Sequence, residues 1–317
     1  MTPDFFVCVC VLAFGIYYAN AKKLFQNLDT GAYNDIADWG IVLRNLAWSP
    51  FFVTDELWSV TRALLPKHAR SPKGGAPRKN DRRCLEGIMY VLRGGIPWKM
   101  LPRNFGVSYS TCWRRFHEWS HVGVWDRIHK QLLKPLAQAN VLKTDRVIID
   151  SASVRALYGG EHTGPNPTDR RKNGCKRHVI CDANGIPLVI QTGPANQRDE
   201  ELVEPMLKQF PHLRDRRGRM HTKPQALQGD RGYGFVWIIK LLIRLVIASL
   251  LAPRGSPHGS GMGKTRFVVE RTLAWFSNYR RLKLCYERTG MHFRAFHVLA
   301  ACDICSRRLQ RLQRLRF

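Results

Sequence analysis

Three acidic residues stand where a carboxylate is hard to explain by packing alone. Asp150 directly follows an apolar run at residues 147–149. Asp230 opens a glycine-rich turn, and Glu270 begins a basic amphipathic stretch. Mg²⁺ prefers hard oxygen ligands, and proteins usually bind it through one or two carboxylates together with substrate phosphates. Three such carboxylates in a strongly cationic chain indicate a magnesium site that acts on a polyanion.

The charge of the chain narrows the class of that polyanion. The 317 residues include 51 Lys and Arg against 24 Asp and Glu, a formal net charge of +27 at pH 7. Residues 1–53 hold only 3 Lys or Arg and 4 Asp or Glu, so the positive excess lies in the remaining body. A folded body this basic is typical of a nucleic-acid-binding protein.

The first half of the basic body has helical periodicity. The expected elements are a helix at 55–65, a loop at 66–77, a helix that Asp81 caps and that Gly94 and Gly95 end, a turn at 106–108 and a helix at 110–119. This order is typical of a small helical domain of the helix-turn-helix type.

The last of these helices carries the residues that could read DNA. In this interpretation Arg114 and Arg115 face the nucleic acid, while Trp113, Phe116 and Trp119 pack inward. A plain helical bundle with a solvated basic face is the alternative.

Beyond residue 146 the pattern changes to a mixed α/β order. The expected strands are 147–153, 177–181, 187–191, 226–230 and 245–251, and the expected helices are 199–210, 235–242, 268–284 and 293–309. The order β-β-β-α-β-α-β-α is that of a ribonuclease H-like mixed sheet flanked by helices. Residues 235–252 are predicted to be a buried helix that runs into a buried strand.

This order brings the three carboxylates together. Asp150 lies on the first strand, Asp230 at the end of the fourth, and Glu270 on the helix after the fifth. Strand ends beside a change of strand order form the active crevice of open α/β sheets. Two metal ions about 4 Å apart at such a site can hold the attacking and leaving oxygens of a phosphoryl displacement.

From about residue 54 to residue 309 the chain resembles the DDE transposases of bacterial insertion sequences, in the group numbered five, which is related to the group numbered four. The motifs that carry the resemblance are residues 75–78, 92–98 and 113–119 in the helical part, and Ile149-Asp150-Ser151-Ala152-Ser153, Lys176-Arg177-His178, Gly229-Asp230-Arg231-Gly232-Tyr233 and Val269-Glu270-Arg271-Thr272 in the rest. Each motif is weak alone, but their joint order is specific.

The resemblance implies a function and its site. Asp150, Asp230 and Glu270 would be the catalytic triad and the ligands of Mg²⁺ or Mn²⁺, with two ions expected. The enzyme would bind terminal inverted repeats of double-stranded DNA, cleave a strand and transfer it to target DNA, as a homo-oligomer. We expect no membrane association and no small-molecule substrate.

Further residues are expected to contact DNA. They are Arg114, Arg115, Lys176, Arg177, His178, Arg231, Arg266, Arg271 and Arg281. The related group also carries a Tyr and a Lys near its glutamate, but Gly263 and Ser277 stand at those positions here. Arg281 is the expected substitute, because eleven residues at 3.6 per turn return it to nearly the helix face of Glu270.

The resemblance also divides the chain and leaves an alternative open. We expect a helical DNA-binding domain at 54–135 and a ribonuclease H-like catalytic domain at 136–317. Residues 1–53 would be an extension outside the family. Its apolar run at 5–19 is shorter than the roughly 20 residues of a spanning helix, although a membrane anchor is not excluded.

Two features shape the remaining alternatives. The nine cysteines are odd in number and irregularly spaced, so we interpret them as reduced thiols in a cytoplasmic, nucleoid-associated protein.

The unusually apolar residues 235–251 favour the alternative function, a catalytically decayed or regulatory DNA-binding protein derived from a transposase. A P-loop-like stretch at 259–265 lacks the first glycine of that motif, so an NTPase is disfavoured.

Overall fold

The computed structural model describes residues 53–68, 74, 76–253 and 263–314. Residues 1–52, which are all but the last residue of the extension expected at 1–53, lie outside this part of the chain. The helical part contains α1 (Asp55–Leu64), α2 (Asp81–Gly94), α3 (Tyr109–His121) and α4 (Val124–Gln138). The first three confirm the sequence prediction within a residue or two, and α4 was not predicted.

Side-chain caps fix where these helices begin. The Thr54 hydroxyl accepts a hydrogen bond from the Leu57 N–H at 3.0 Å. Asn80 and Ser108 accept in the same way from N–H groups three residues on, so Asn80 caps α2 in place of the predicted Asp81, and Ser108 caps α3. Gly95, in the left-handed conformation with φ 68°, ends α2. Local sequence therefore determines these boundaries.

The predicted helix-turn-helix geometry is wrong. Residues 95–108 join α2 to α3 through two short 3₁₀ turns, whereas a helix-turn-helix unit has a turn of only three or four residues. Phe116 and Trp119 are buried as expected, but the Trp113 side chain is 41% exposed. Trp113 instead stacks on the His117 ring, with centroids 5.4 Å apart.

One mixed sheet forms the centre of the α/β part. Its strands are β1 (Arg146–Arg155), β2 (Gly164–Pro165), β3 (Asn173–Asp182), β4 (Pro187–Pro194), β7 (Ala226–Gln228) and β8 (Ala248–Leu250), while β5 (Leu213–Arg214) and β6 (Met220–His221) form a separate hairpin. Antiparallel β4, β3 and β1 are followed by β7 and β8, both parallel to β1. This arrangement agrees with the predicted ribonuclease H-like mixed sheet.

Helices flank the sheet as expected. They are α5 (Val203–Lys208), α6 (Val236–Arg244), α7 (Gly263–Ser277) and α8 (Gly290–Arg314), with 3₁₀ turns at Asp199–Leu202 and Arg280–Leu282. The helix predicted at 199–210 is thus divided, and the one predicted at 268–284 ends at Ser277. The expected burial of residues 235–252 is only partly correct, because Val236, Ile243 and Val246 are 68%, 68% and 76% exposed.

Residues 52–317 form one compact unit, and the packing of α8 crosses the predicted boundary at residue 135. Phe296 of α8 stacks on Phe116 of α3 with ring centroids 4.2 Å apart, and on Trp98 at 6.0 Å. Arg294 forms a two-pronged ion pair with Asp126 of α4, at 2.6 and 2.8 Å. The helical part and the sheet therefore share one core.

The structure bears on two further expectations. Within the described residues, no helix is both long and apolar enough to cross a membrane. Seven of the nine cysteines fall in the described ranges, and all seven are buried free thiols. Cys8 and Cys10 lie outside those ranges.

Several buried histidines make stability depend on pH. Burial lowers the pKa of His129 and His178 to about 4 and that of His297 to about 3. Between pH 6.5 and these values the unfolded chain takes up protons that the folded protein does not bind, so acid reduces stability. Asp182 has the opposite effect, because burial raises its pKa to about 6. Just below that pH the folded protein binds a proton that the unfolded chain does not, so this group gains stability in acid.

Replacing one of these histidines should reduce the acid sensitivity. His129 is a buried residue within α4, and its Nε2 is 2.9 Å from the Pro187 carbonyl oxygen, so His129→Gln keeps a donor but cannot titrate. Between pH 6.5 and 4.5 the slope of unfolding free energy against pH should decrease by roughly 1.4 kcal/mol per pH unit. Urea denaturation at several pH values measures this slope.

The matched control is His121→Gln, because His121 is exposed. Its slope should equal that of the wild type. An unchanged slope in His129→Gln would show that this imidazole titrates normally in the folded protein.

Candidate active site

Parallel pairing of β1 and β7 places two of the three carboxylates side by side. The ladder aligns Ile148 with Gln228, its last paired residues. Asp150 follows two residues later on β1, and Asp230 stands two residues after the end of β7, at the start of a 3₁₀ turn. Neighbouring strands in a sheet lie about 4.8 Å apart, so the two aspartates continue the same register beyond the end of β7.

A glycine permits this close approach. A Cβ atom at Gly229 would come within 3.0 Å of the Leu251 and Tyr233 side chains and 3.1 Å of Ile149. Tyr233 is buried near these carboxylates. Burial is the main cause that raises the pKa of its hydroxyl well above the usual value, and the negative charges of Asp199, Asp150 and Asp230 raise it further. Both catalytic candidates therefore lie near one aromatic ring.

The oxygens of these two aspartates differ in their hydrogen bonding. Asp150 Oδ1 accepts a 2.8 Å hydrogen bond from the N–H of Ser151. Asp230 Oδ1 is buried and has no hydrogen-bond partner among the residues that the structure describes. A buried carboxylate oxygen without a donor is costly unless something else compensates its charge. A hard cation is a suitable partner for such an oxygen.

The described residues do not form a closed metal cage. Within them, no group of three His, Cys, Asp or Glu side chains could hold a metal ion. The three carboxylates thus offer hard oxygen ligands without gathering tightly in this conformation. Mg²⁺ sites of this kind commonly complete their coordination with water and substrate phosphate, not with protein alone.

Helix α7 covers the sheet face that bears Asp150. Arg177 pairs with Ala152 across the ladder and so points to the same face as Asp150. Its guanidinium donates to the Leu273 carbonyl and to the Ser277 hydroxyl of α7, at 3.3 and 2.8 Å. Glu270 lies at an exposed position on this helix. Asp150 therefore lies on the sheet face that packs against α7, the helix that carries Glu270.

The structure also reveals a carboxylate that the sequence analysis did not single out. Asp199 Oδ1 accepts a 2.8 Å hydrogen bond from the Ser151 hydroxyl, and Lys176 Nζ lies 3.1 Å away. It lines a cavity of about 470 Å³ that opens beside β1. An acidic residue after a predicted strand was its only sequence signal, and many surface residues share that signal.

Three of the predicted DNA contacts are wrong, because their side chains are buried. Arg177, His178 and Arg281 are 4%, 0% and 7% exposed. The Arg177 guanidinium donates to the carbonyls of Leu273 and Leu282, and burial lowers its pKa to about 10. These groups connect segments of the protein and are not available to a DNA backbone.

Arg281 does not extend the face of Glu270, since α7 ends at Ser277. Its guanidinium donates to Glu287 Oε1 at 2.6 and 2.8 Å and to the Ile96 carbonyl at 3.1 Å. It also lies 4.7 Å from the Tyr286 ring centroid. The prediction that Arg281 substitutes for a lysine beside the glutamate is therefore wrong.

The other predicted DNA contacts differ in their exposure and in their hydrogen-bond partners. Arg115 is held by Asp81 at 3.0 Å, and Lys176 donates to the Gln197 carbonyl. Arg271 donates to the Asn184 carbonyl yet remains exposed on α7. Arg114 is exposed and Arg231 is half-buried next to Asp230. The side chain of Arg266 lies outside the described part of the structure.

The buried pair of Arg281 and Glu287 allows a structural role to be separated from DNA binding. Arg281→Ala should lower the free energy of unfolding by about 3–5 kcal/mol, because it leaves the Glu287 carboxylate buried without its partner. Urea denaturation measures this loss. Below its unfolding transition the variant should retain wild-type DNA affinity.

Arg280→Ala is the matched control, since Arg280 is the exposed neighbour. Its stability should change by less than about 0.5 kcal/mol. A stable Arg281→Ala protein with weakened DNA binding would contradict the structural role.

Comparison with known proteins shows the family of the chain. Residues 53–129 match a family described as "Putative transposase of IS4/5 family", and residues 142–302 match the family described as "Transposase DDE domain". The second match spans Asp150, Asp230 and Glu270. The two matches meet between residues 129 and 142, near the predicted domain boundary.

Relatives with similar sequences come from insertion elements. The "Putative transposase for insertion sequence element IS402" of Burkholderia cepacia is 40% identical over 166 residues, which are 52% of this chain and 77% of the relative. The "Insertion element IS402 uncharacterized 16.2 kDa protein" of the same organism is 40% identical over 118 residues, 36% of this chain and 80% of the relative.

Among solved structures, the piggyBac transposase synaptic complex with hairpin DNA is similar at a TM-score of 0.39 and 10% identity, over 83% of this chain and 76% of that one. This likeness is too weak to carry a conclusion, whereas the family matches and the 40% identical relatives are sufficient. The chain belongs to the DDE transposases of insertion sequences, within the IS4/5 group.

Proposed function

We propose that Asp150, Asp230 and Glu270 are the catalytic carboxylates of this transposase, and that they bind two Mg²⁺ or Mn²⁺ ions. The observation that carries the proposal is the shared register of Asp150 and Asp230 beyond the paired ends of β1 and β7. The buried Asp230 oxygen without a hydrogen-bond donor among the described residues supports it. Helix α7 contributes Glu270 from the same face of the sheet.

Each protein group has a defined task in this proposal. Asp150 presents its oxygens from within β1 and Asp230 from the turn after β7, where Gly229 lies close to Ile149 of β1. Tyr233 fills the space behind them with a buried ring that stays neutral, because its pKa is raised. Divalent ions at this site would supply nucleophile activation and neutralise charge on the phosphate.

The proposed substrate is double-stranded DNA that carries the terminal inverted repeats of the element. A net charge of +27 gives a strong sequence-independent attraction to phosphates. Arg114 on α3 and Arg271 on α7 are exposed, and Arg231 beside Asp230 is half-buried, so these three remain as predicted contacts with access to DNA. Joining two element ends requires two active sites, so we propose a homo-oligomer that acts at the nucleoid.

Removing either charge should abolish strand cleavage. Asp150→Asn and Glu270→Gln keep the shape of the side chain but weaken a metal ligand. Cleavage and strand transfer of a terminal-repeat duplex with Mg²⁺ should each slow by roughly 1000-fold or more. Glu204→Gln is the control, because this carboxylate pairs with Lys208 on the surface of α5. Wild-type rates in either catalytic variant would refute the assignment.

Metal binding can be measured without turnover. Replacing Mg²⁺ by Fe²⁺ with ascorbate generates radicals that cut protein backbone near the bound ion. We expect cuts near residues 150 and 230, suppression of these cuts by excess Mg²⁺, and their loss in Asp150→Asn. Cuts elsewhere, or cuts unaffected by Asp150→Asn, would place the metal away from these carboxylates.

The alternative is a decayed or regulatory DNA-binding protein derived from a transposase. The exposed apolar side chains of α6 and the loop after it favour it, because an unselected copy accumulates such residues. Salt-sensitive DNA binding by the wild-type protein, without metal-dependent cutting, would support this alternative.

A further inference from the structure

A hydrogen-bonded basic loop borders the cavity beside β1. Asn166 organises it: its side-chain oxygen accepts from the N–H and hydroxyl of Thr168, and its carbonyl accepts from the N–H of Arg171 at 2.9 Å. The Asn166 N–H donates to the Lys172 carbonyl at 2.9 Å, which closes the loop. Asn166 itself is buried, so residues 166–172 form a fixed structure.

Two consecutive arginines in this loop adopt a conformation that favours glycine. Arg170 and Arg171 have φ angles of 49° and 57°. L-residues rarely occupy this left-handed region, and strained positions of this kind concentrate at functional sites. Glycine at either position would relieve the backbone, so stability does not explain arginine there.

Cationic side chains outnumber acidic ones around the loop. Arg170, Arg171 and Lys172 are exposed, and none of them forms an ion pair within the described residues. Arg155 pairs with Asp169 at 2.6 Å, and Lys176 pairs with Asp199 at 3.1 Å. Asp169 and Asp199 are thus already paired with other residues. Arg170, Arg171 and Lys172 therefore keep their positive charge for a binding partner.

The loop borders the same strand that carries Asp150, but on the opposite face of the sheet, because Ser151, Ser153 and Arg155 alternate with Asp150 along β1. Beyond Ile148, β1 has no β7 partner, so its next residues border an open edge. Ser151, Ser153 and Arg155 alternate along this strand and line the cavity, which Asp199 also lines. Asp150 and Arg155 are about 17 Å apart along the strand and leave opposite faces of it, so a DNA strand that contacts both would cross the open edge of β1. In B-DNA that distance corresponds to about five nucleotide steps.

We propose that the basic loop, residues 166–172, binds backbone phosphates of the DNA strand that leads to the carboxylates. This inference rests on the proposed function, because it assigns a contact surface to the same DNA. The surface reads no base sequence: it positions the strand through phosphate charge. The contacted phosphates lie within about five nucleotides of the bond that is cut.

The first test separates charge from backbone shape. Arg170→Gly with Arg171→Gly removes two charges and suits the positive φ, so the variant should fold at least as stably as the wild type. In metal-free buffer, the logarithm of its binding constant for a terminal-repeat duplex should fall less steeply with the logarithm of the salt concentration. The magnitude of this salt slope should be smaller by about 2. Arg170→Lys with Arg171→Lys keeps both charges and should keep the wild-type slope.

Arg216→Gly with Arg217→Gly is the matched control. These exposed arginines occupy the turn of the β5–β6 hairpin, and the variant loses the same charge. Its salt slope should stay close to that of the wild type. An equal decrease in both glycine variants would show only a general effect of net charge and overturn the proposal. A wild-type slope in the Arg170 and Arg171 glycine variant would overturn it as well.

The second test locates the contacts on DNA. Neutral methylphosphonates placed within about five nucleotides of the cut site should weaken binding by the wild type but not by the glycine variant. Interference at the same positions in both proteins would refute the loop assignment. Cleavage by the wild type with Mg²⁺ is measured in parallel: if it is absent, the proposed function fails, whereas the binding data still decide the loop.

Discussion

Parallel pairing of β1 with β7 is the constraint on which the rest of the site depends. Ile148 pairs with Gln228 at the end of the ladder. This register determines that the residues leading to Asp150 and Asp230 leave the paired segment at the same level. Gly229 favours the approach, because a Cβ there would lie only 3.0–3.1 Å from three neighbouring side chains, which would have to shift slightly. β1 continues past β7 while paired with β3, so one strand carries both Asp150 and the residues that line the cavity. A shift of one residue would turn Asp150 to the opposite face.

The positive charge of the chain serves two different purposes. Some arginines are internal connectors: Arg177 attaches α7 to the sheet, and Arg281 joins the segment after α7 to the helical part through the Ile96 carbonyl. Others, such as Arg170 and Arg171, remain on the surface with no ion pair among the described residues. Net charge alone therefore overestimates the surface available to DNA. The buried arginines instead fix the helix that presents Glu270.

The helical part and the sheet behave as one body because α8 belongs to both. Phe296 joins the aromatic stack with Phe116, and Arg294 reaches Asp126 on α4. Asp303, which is buried, accepts from Arg93 of α2 and from the Tyr279 hydroxyl. DNA held by α3 would consequently keep a fixed relation to the carboxylates. The sequence-level division near residue 135 marks two families of motif and not two independently packed cores.

The sequence by itself predicted most of the elements, and with the family resemblance it named the catalytic candidates. Caps at Thr54, Asn80 and Ser108, periodicity, and the five main strands are local properties, readable within a few neighbouring residues. Only the tertiary structure decided which polar side chains became internal. The acceptors of Arg177 lie 96 and 105 residues away, and Asp199 meets Ser151 across 48. Burial of a charge and its partners depend on how distant segments pack, which no local pattern encodes.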